Sequence, residues 1–88
     1  MADAILDAHK MSIRHRESLR NSSICGCFYC ISTFDHTSIV DWCDGGETAQ
    51  CPNCNIDSVI GDASGFPAGD KDFLRAMHAH WFKGQPLP

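Results

Sequence analysis

The chain has 88 residues, of which 43% are hydrophobic and 20% are charged, and its formal net charge is −4. This composition predicts a single globular domain, residues 1–88, rather than a disordered chain. At this size a hydrophobic core alone is only marginally able to stabilise a fold. The acidic balance disfavours binding of nucleic acid along an extended basic surface. Because there is no apolar stretch long enough to span a membrane and no signal-peptide pattern, we expect a cytoplasmic protein without membrane contact.

Residues 3–22 are predicted to form a first helix. Asp3 can cap its N-terminus, and apolar side chains recur at helical spacing from Ile5 to Ile13. Acidic residues come first and basic residues follow, an order that suits the helix dipole. The basic residues are Lys10, Arg14, Arg16 and Arg20. They form either a solvated face or a patch that binds phosphate or an acidic partner.

Two cysteine pairs are the most informative feature of the sequence. Each is a C-x2-C turn, and twenty residues separate the pairs, a spacing typical of four-thiolate metal sites. The four residues are Cys27, Cys30, Cys51 and Cys54. Soft thiolates that converge on one ion favour zinc, with an iron–sulfur centre or disulfides as the alternatives. One structural Zn²⁺ also suits a chain this short, because its binding free energy contributes to folding.

The segment around and between the cysteine pairs is predicted to consist of turns and short elements. Gly26 is expected to provide the backbone freedom that a tight metal-binding turn needs. A turn at residues 35–36 should lead into a short helix or strand over residues 39–42. Gly45-Gly46 should form a turn or hairpin tip, followed by a short strand over residues 47–50 that ends at the second pair.

The last third of the chain is predicted to end in a helix. A small apolar cluster comes first, formed by Ile56, Val59 and Ile60, and residues 61–65 should be a surface loop. Asp70 is a suitable cap for a helix of roughly residues 70–82, and Gly84 should end it. Its buried stripe is predicted to consist of Phe73, Leu74, Met77 and Trp81.

Three further residues are possible metal ligands. Cys25 and Cys43 are expected to be packed thiols, or else replacements for one of the four cysteines. His36 lies between the two pairs and could approach the same ion. The sequence motifs of metalloproteases, zinc deaminases and nucleotide-binding loops are missing, so these enzyme classes are not expected.

The Cys27–Cys30 pair, together with residues 40–55, resembles a treble-clef zinc fold, and in particular the zinc-bearing HNH nucleases. That family combines a C-x2-C pair, an apolar stretch ending in Asp-His, a Gly-containing hairpin and a second C-x2-C pair followed by Asn. In this chain Trp42 follows Asp41, where the family has its metal-activating histidine. Trp42 cannot activate water, so nuclease activity is not expected unless His36 supplies the base.

Over a longer stretch, the sequences CGCFYC at residues 25–30 and CPNCNIDSVIG at residues 51–61 resemble a small family of bacterial and phage-borne proteins. Its members carry the general label of cytoplasmic proteins. The closing segment, residues 77–82, belongs to the same resemblance. The resemblance implies a compact intracellular zinc-binding domain and carries no activity with it.

These observations predict a small α+β domain, in which N- and C-terminal helices flank a zinc-knuckle or treble-clef centre. Four thiolates leave no open coordination position, which is typical of structural zinc. The predicted function is a non-enzymatic binding or adaptor module for a protein partner, such as an accessory or inhibitor protein of phage or bacterial origin. The alternatives are a nucleic-acid-binding zinc finger that uses the first helix and a degenerate HNH nuclease. Candidate partner contacts are Lys10, Arg14, Arg16, Arg20 and Trp42.

Overall fold

The computed structural model describes residues 2–13, 15–83 and 85, and this part of the chain contains three α-helices, three short 3₁₀ turns and five short strands. In chain order the α-helices and strands are α1 Ala2–Lys10, α2 Arg16–Arg20, β1 Cys25–Cys27, β2 Thr33–Phe34, β3 Trp42–Cys43, β4 Thr48–Ala49, β5 Val59–Gly61 and α3 Lys71–Trp81. The predicted α+β class is confirmed. The predictions made for Arg14 and Gly84 lie outside the described residues.

The strands form two small antiparallel sheets. β1 is the central strand of a three-stranded sheet with the order β2-β1-β5, in which Cys25 pairs with Phe34 and Gly26 pairs with Ile60. β3 and β4 form a hairpin in which Trp42 pairs with Ala49. The turn between β3 and β4 lies at Asp44–Gly46, as expected for the two glycines.

The prediction of one continuous helix over residues 3–22 is wrong. α1 ends at Lys10, where the Ser12 hydroxyl donates a hydrogen bond of 2.6 Å to the His9 carbonyl. The chain then turns, and the His15 N–H donates to the Glu47 carbonyl at 2.9 Å before α2 begins. This long-range bond takes a backbone donor that a continuous helix would have used internally.

The break places the two short helices against different apolar clusters. The first cluster lies between α1 and α3 and contains Ile5, Ala8, Phe28, Ile31, Ile60, Ala68, Phe73, Leu74 and Met77. The second lies between α2, the hairpin and the cysteines and contains Leu19, Cys25, Cys27, Ile39, Ala49, Cys51 and Val59. Val59 and Ile60 belong to different clusters because successive side chains of a strand point to opposite faces.

The predicted last helix is confirmed. The Asp70 carboxylate caps α3 by accepting a hydrogen bond of 2.9 Å from the Asp72 N–H. Phe73, Leu74 and Met77 are buried, as their spacing predicts. Trp81 is only half-buried. Among the described helices there is none with the length and apolar character needed to cross a bilayer.

Gly26 is required for a different reason from the one expected. It lies in the central strand β1, and a Cβ at this position would collide with the carbonyl oxygen of Ala68 and crowd the side chain of Leu74. Close packing of the segment before α3 against the strand therefore explains the glycine, rather than a special turn conformation.

Candidate metal centre

The sulfur atoms of four cysteines lie close together where the two sheets approach each other. Cys27 is the last residue of β1 and Cys30 ends the turn after it, whereas Cys51 and Cys54 begin and end the turn region that follows β4. The four Sγ atoms all lie within 4.8 Å of one another. Because each pair follows a strand, the sheets bring together residues that are more than twenty positions apart. This arrangement is consistent with a metal site.

The sulfur separations do not fit disulfide bonds. The Sγ atoms of Cys27 and Cys54 are 3.7 Å apart, and those of Cys30 and Cys51 are also 3.7 Å apart. A disulfide bond would require about 2.05 Å. All six cysteines are free thiols. The disulfide alternative therefore does not hold, and converging free thiols remain.

Burial divides the four cysteines into an inner and an outer pair. Cys27 and Cys51 are fully buried, with no exposed surface, whereas Cys30 and Cys54 are half-buried. The inner two are part of the apolar cluster around Leu19 and Val59. An ion at this site would be shielded on the inner side and would be reached by solvent only past Cys30 and Cys54.

The two cysteine turns make the same backbone contacts. The Tyr29 N–H donates to the Cys27 sulfur at 3.4 Å, and the Asn53 N–H donates to the Cys51 sulfur at 3.3 Å. In each turn the donor lies two residues after the first cysteine. Such N–H···S hydrogen bonds stabilise a thiolate over a thiol.

Polar side chains that the cysteine spacing did not predict also surround the sulfurs. The Ser58 hydroxyl lies 3.1 Å from the Cys27 sulfur, and the Ser32 hydroxyl lies 2.9 Å from the Cys30 sulfur. The side-chain amide of Asn53 donates to the Cys30 sulfur at 3.5 Å. Hydrogen bonds of this kind orient and tune metal ligands. Serine has no characteristic spacing from C-x2-C turns, so the sequence offers no signal for these contacts.

The thiol pKa values diverge because the sulfurs are so close together. The hydrogen bond between Cys27 and Cys51, reinforced by burial, raises the pKa of Cys27, and the same bond lowers the pKa of Cys51 to about 4. Burial raises the pKa of Cys54 to about 11. Burial opposes ionisation of Cys30 too, but hydrogen bonds from Ser32 and Asn53 outweigh it and lower its pKa. Four thiolates this close together would require the positive charge of a cation, so binding of a metal ion here would release protons from the thiols.

The other candidate ligands lie outside this cluster. Cys25 is fully buried, and burial raises its pKa to about 12, so it is a packed thiol. Cys43 lies in β3 opposite Thr48 and is not part of the group of sulfurs. His36 begins a short 3₁₀ turn, His36–Ser38, and lines a separate pocket beside α2.

The residues predicted to contact a partner do not all lie on one surface. Arg16, Arg20 and Trp42 line one pocket. Lys10 lies on α1, where its ammonium group is 3.8 Å from the Asp7 carboxylate and 79% of its side chain is exposed. Arg14 lies outside the described residues. Among the described residues, Arg16 and Arg20 thus form a local group at α2, and Lys10 lies on a different helix.

Comparisons of the chain with protein-family models, with curated proteins and with solved structures found no match. Function is therefore inferred from the cysteine cluster and from the surface that it supports.

Proposed function

We propose that this protein is a zinc-stabilised binding module, in which Cys27, Cys30, Cys51 and Cys54 hold one structural Zn²⁺. The observation that carries the proposal is the sulfur geometry. Zinc–sulfur bonds of about 2.3 Å in a tetrahedron require sulfurs about 3.8 Å apart. The two sulfur separations of 3.7 Å agree with that edge length. The donor set therefore fits a single ion.

The chemistry of the donors favours zinc over other ions. Four thiolates suit soft metals, and zinc accepts tetrahedral sulfur ligands without redox chemistry. In a [4Fe–4S] cluster each cysteine binds a different iron, and in a [2Fe–2S] cluster each iron takes only two cysteines, so either cluster would hold some of the cysteine sulfurs farther apart than the 4.8 Å within which all four lie. A single iron could use the same tetrahedron, so metal analysis distinguishes these two ions.

The proposed role is binding rather than catalysis. Four protein ligands leave no open position on the metal for water or substrate, which is the property of a structural site. Zinc then supplies folding free energy to a domain with only two small apolar clusters among its described residues. The proposed fold is a treble-clef zinc fold similar to that of the HNH nucleases, with Trp42 in the place of the metal-activating histidine. A protein partner in the cytoplasm is the expected target.

Metal analysis of the purified protein tests the proposal. We expect one zinc per chain by elemental analysis, and loss of folded structure by circular dichroism when a strong chelator is added. Retention of the full fold in metal-free protein would contradict it.

A second assay tests the absence of catalysis: the zinc-loaded protein is incubated with plasmid and Mg²⁺ or Mn²⁺. Cleavage that Asp41→Ala or His36→Ala abolishes would show a nuclease instead.

A further inference from the structure

A small pocket lies between α2 and the chain that leads into β3, and none of the four clustered cysteines lines it. Its volume is about 180 Å³, and it is lined by Arg16, Leu19, Arg20, His36, Ile39 and Trp42. Leu19 and Ile39 are buried and make the floor apolar, whereas Arg20 is exposed at the rim. The pocket thus combines an apolar floor with two guanidinium groups and an imidazole.

Arg16 is held in place at the pocket wall. Its guanidinium carbon lies 4.4 Å from the centroid of the Trp42 ring, and its Nη1 donates a hydrogen bond of 2.8 Å to the Gly46 carbonyl. A guanidinium has five N–H donors, so most of them remain for another acceptor. Stacking on an aromatic ring reduces the side-chain entropy that ligand binding would otherwise cost.

The two arginines of the pocket are not paired with a carboxylate within the described chain. The ion pairs among described residues join Lys10 to Asp7, Arg75 to Asp72 and His36 to Asp35, the last at 4.0 Å. Neither Arg16 nor Arg20 has a carboxylate within ion-pair distance in the part of the chain that the structure describes. This is unexpected in a chain with 11 acidic and 7 basic residues. Two uncompensated guanidinium groups beside one pocket indicate an anionic ligand.

We propose that this pocket binds the phosphate group of a phosphorylated side chain on the protein partner. The inference rests on the proposed function as a binding module and names the chemistry of its ligand. The guanidinium group of arginine can donate two parallel hydrogen bonds to the oxygens of a phosphate. A phosphate monoester carries nearly two negative charges at neutral pH. The floor formed by Leu19 and Ile39 suits the carbon atoms that bear the phosphate.

A single phosphate fits the pocket better than a nucleic-acid backbone does. A polynucleotide presents a row of phosphates and requires a row of cations. Here Lys10 is paired with Asp7 on a different helix, and Arg75 is paired with Asp72 on α3. The chain is also acidic overall, with a formal charge of −4. These features favour recognition of one phosphate by a local pair of arginines.

Titration of the zinc-loaded protein with phenyl phosphate, followed by NMR of the tryptophan indole N–H groups, tests the proposal. Trp42 lines the pocket, whereas the Trp81 indole donates to the Ile5 carbonyl in the first apolar cluster. We expect a saturable shift of the Trp42 signal and none of the Trp81 signal. Phosphoserine should give the same pattern and phenol none. No Trp42 shift at millimolar ligand, or an equal shift with phenol, would overturn the proposal.

Matched arginine variants provide the second readout. Arg20→Gln should weaken phenyl phosphate binding by roughly tenfold or more, because it removes a guanidinium that has no structural partner among the described residues. Arg75→Gln, which removes an exposed arginine of α3, should change binding by less than about twofold. Equal effects of the two variants would contradict a specific pocket.

A single-stranded DNA oligonucleotide serves as the competing ligand. If it binds more tightly than phenyl phosphate, and if Lys10→Gln and Arg75→Gln weaken it as much as Arg20→Gln does, the basic surface is a nucleic-acid site and the proposal is wrong. Zinc content is measured on the same samples. If the pocket does not bind phenyl phosphate but folding still depends on zinc, only this inference is wrong. If the protein folds without zinc, the proposed function is wrong.

Discussion

Ile31 and Asn55 have the same left-handed backbone conformation, with φ of 65° and 66°, and each directly follows the second cysteine of its pair. In both cases the N–H of this residue donates at 2.9 Å to the carbonyl of the first cysteine of the pair. The cysteine cluster is therefore built from the same turn, which occurs twice. Only the cysteines repeat in the sequence, since CFYCI and CPNCN otherwise differ.

The left-handed conformation makes position 55 sensitive to the type of side chain. Asn adopts positive φ more readily than most residues, whereas a β-branched residue does so at a cost of about 1–3 kcal/mol. Asn55 is exposed, so a substitution there changes little burial. We expect Asn55→Ile to lower the free energy of unfolding of the zinc-loaded protein by that amount and Asn55→Gly to leave it unchanged or higher. Denaturant unfolding measures both, and equal stabilities would show that no such strain exists.

Cysteine-to-serine variants separate ligand thiols from packed ones. Cys51→Ser removes one of the four converging sulfurs, and we expect loss of bound zinc together with most of the folded structure. Cys43→Ser changes a half-buried thiol outside the cluster and should cost less than about 1 kcal/mol. Elemental analysis and circular dichroism measure the two effects. If both variants lose zinc equally, the ligand set is different from the one proposed.

Buried His15 predicts a loss of stability in mild acid. Its side chain is 4% exposed, and neither ring nitrogen has a hydrogen-bond partner among the described residues. Burial lowers its pKa from 6.5 to about 4, although the nearby Val59 backbone offsets part of the effect. The unfolded chain then binds a proton that the folded chain does not, so stability is full above pH 6.5 and falls between pH 6.5 and 4.

The size of this effect is at most about 3–4 kcal/mol, since the pKa of His15 falls from 6.5 to about 4 and one pKa unit corresponds to about 1.4 kcal/mol. Unfolding by urea at a series of pH values, with saturating zinc throughout, measures it. His15→Leu removes the titrating group, so its stability should depend less steeply on pH than that of the parent protein over this range. Metal release by acid affects both proteins alike. Identical pH profiles would show that His15 does not titrate as expected.

Two glycines distinguish a steric requirement from a conformational one. Gly26→Ala should cost about 3 kcal/mol or more, because its Cβ would collide with the backbone of Ala68 rather than with the end of a flexible side chain. Gly45 has a φ of 71°, and a Cβ added there would meet no described atom beyond its chain neighbours within 4 Å. Gly45→Ala should therefore cost only about 1 kcal/mol of backbone strain. Denaturant unfolding compares them. A Gly26→Ala protein as stable as Gly45→Ala would contradict the packing of residue 68 against β1.

The cysteine cluster and the last helix could be predicted because their signals are local. Two residues between thiols allow convergence on one ion, and the cap at Asp70 with apolar residues at helical spacing defines α3 without reference to other segments. The structure has the predicted cap at Asp70. It also buries the predicted apolar residues, Phe73, Leu74 and Met77.

The first helix could not be predicted in the same way. Residues 3–22 have helical spacing throughout, yet the helix ends at Lys10. One reason is that the backbone N–H of His15 donates to the carbonyl of Glu47, thirty-two positions away. The other is that Ala8 and Leu19 belong to different apolar clusters. The pocket formed by Arg16, Arg20 and Trp42 depends on the same break. Composition and spacing describe what a segment favours in isolation. Contacts between distant segments determine where a helix stops and which charges meet, since each segment must bury its apolar face and satisfy its backbone in the same small fold.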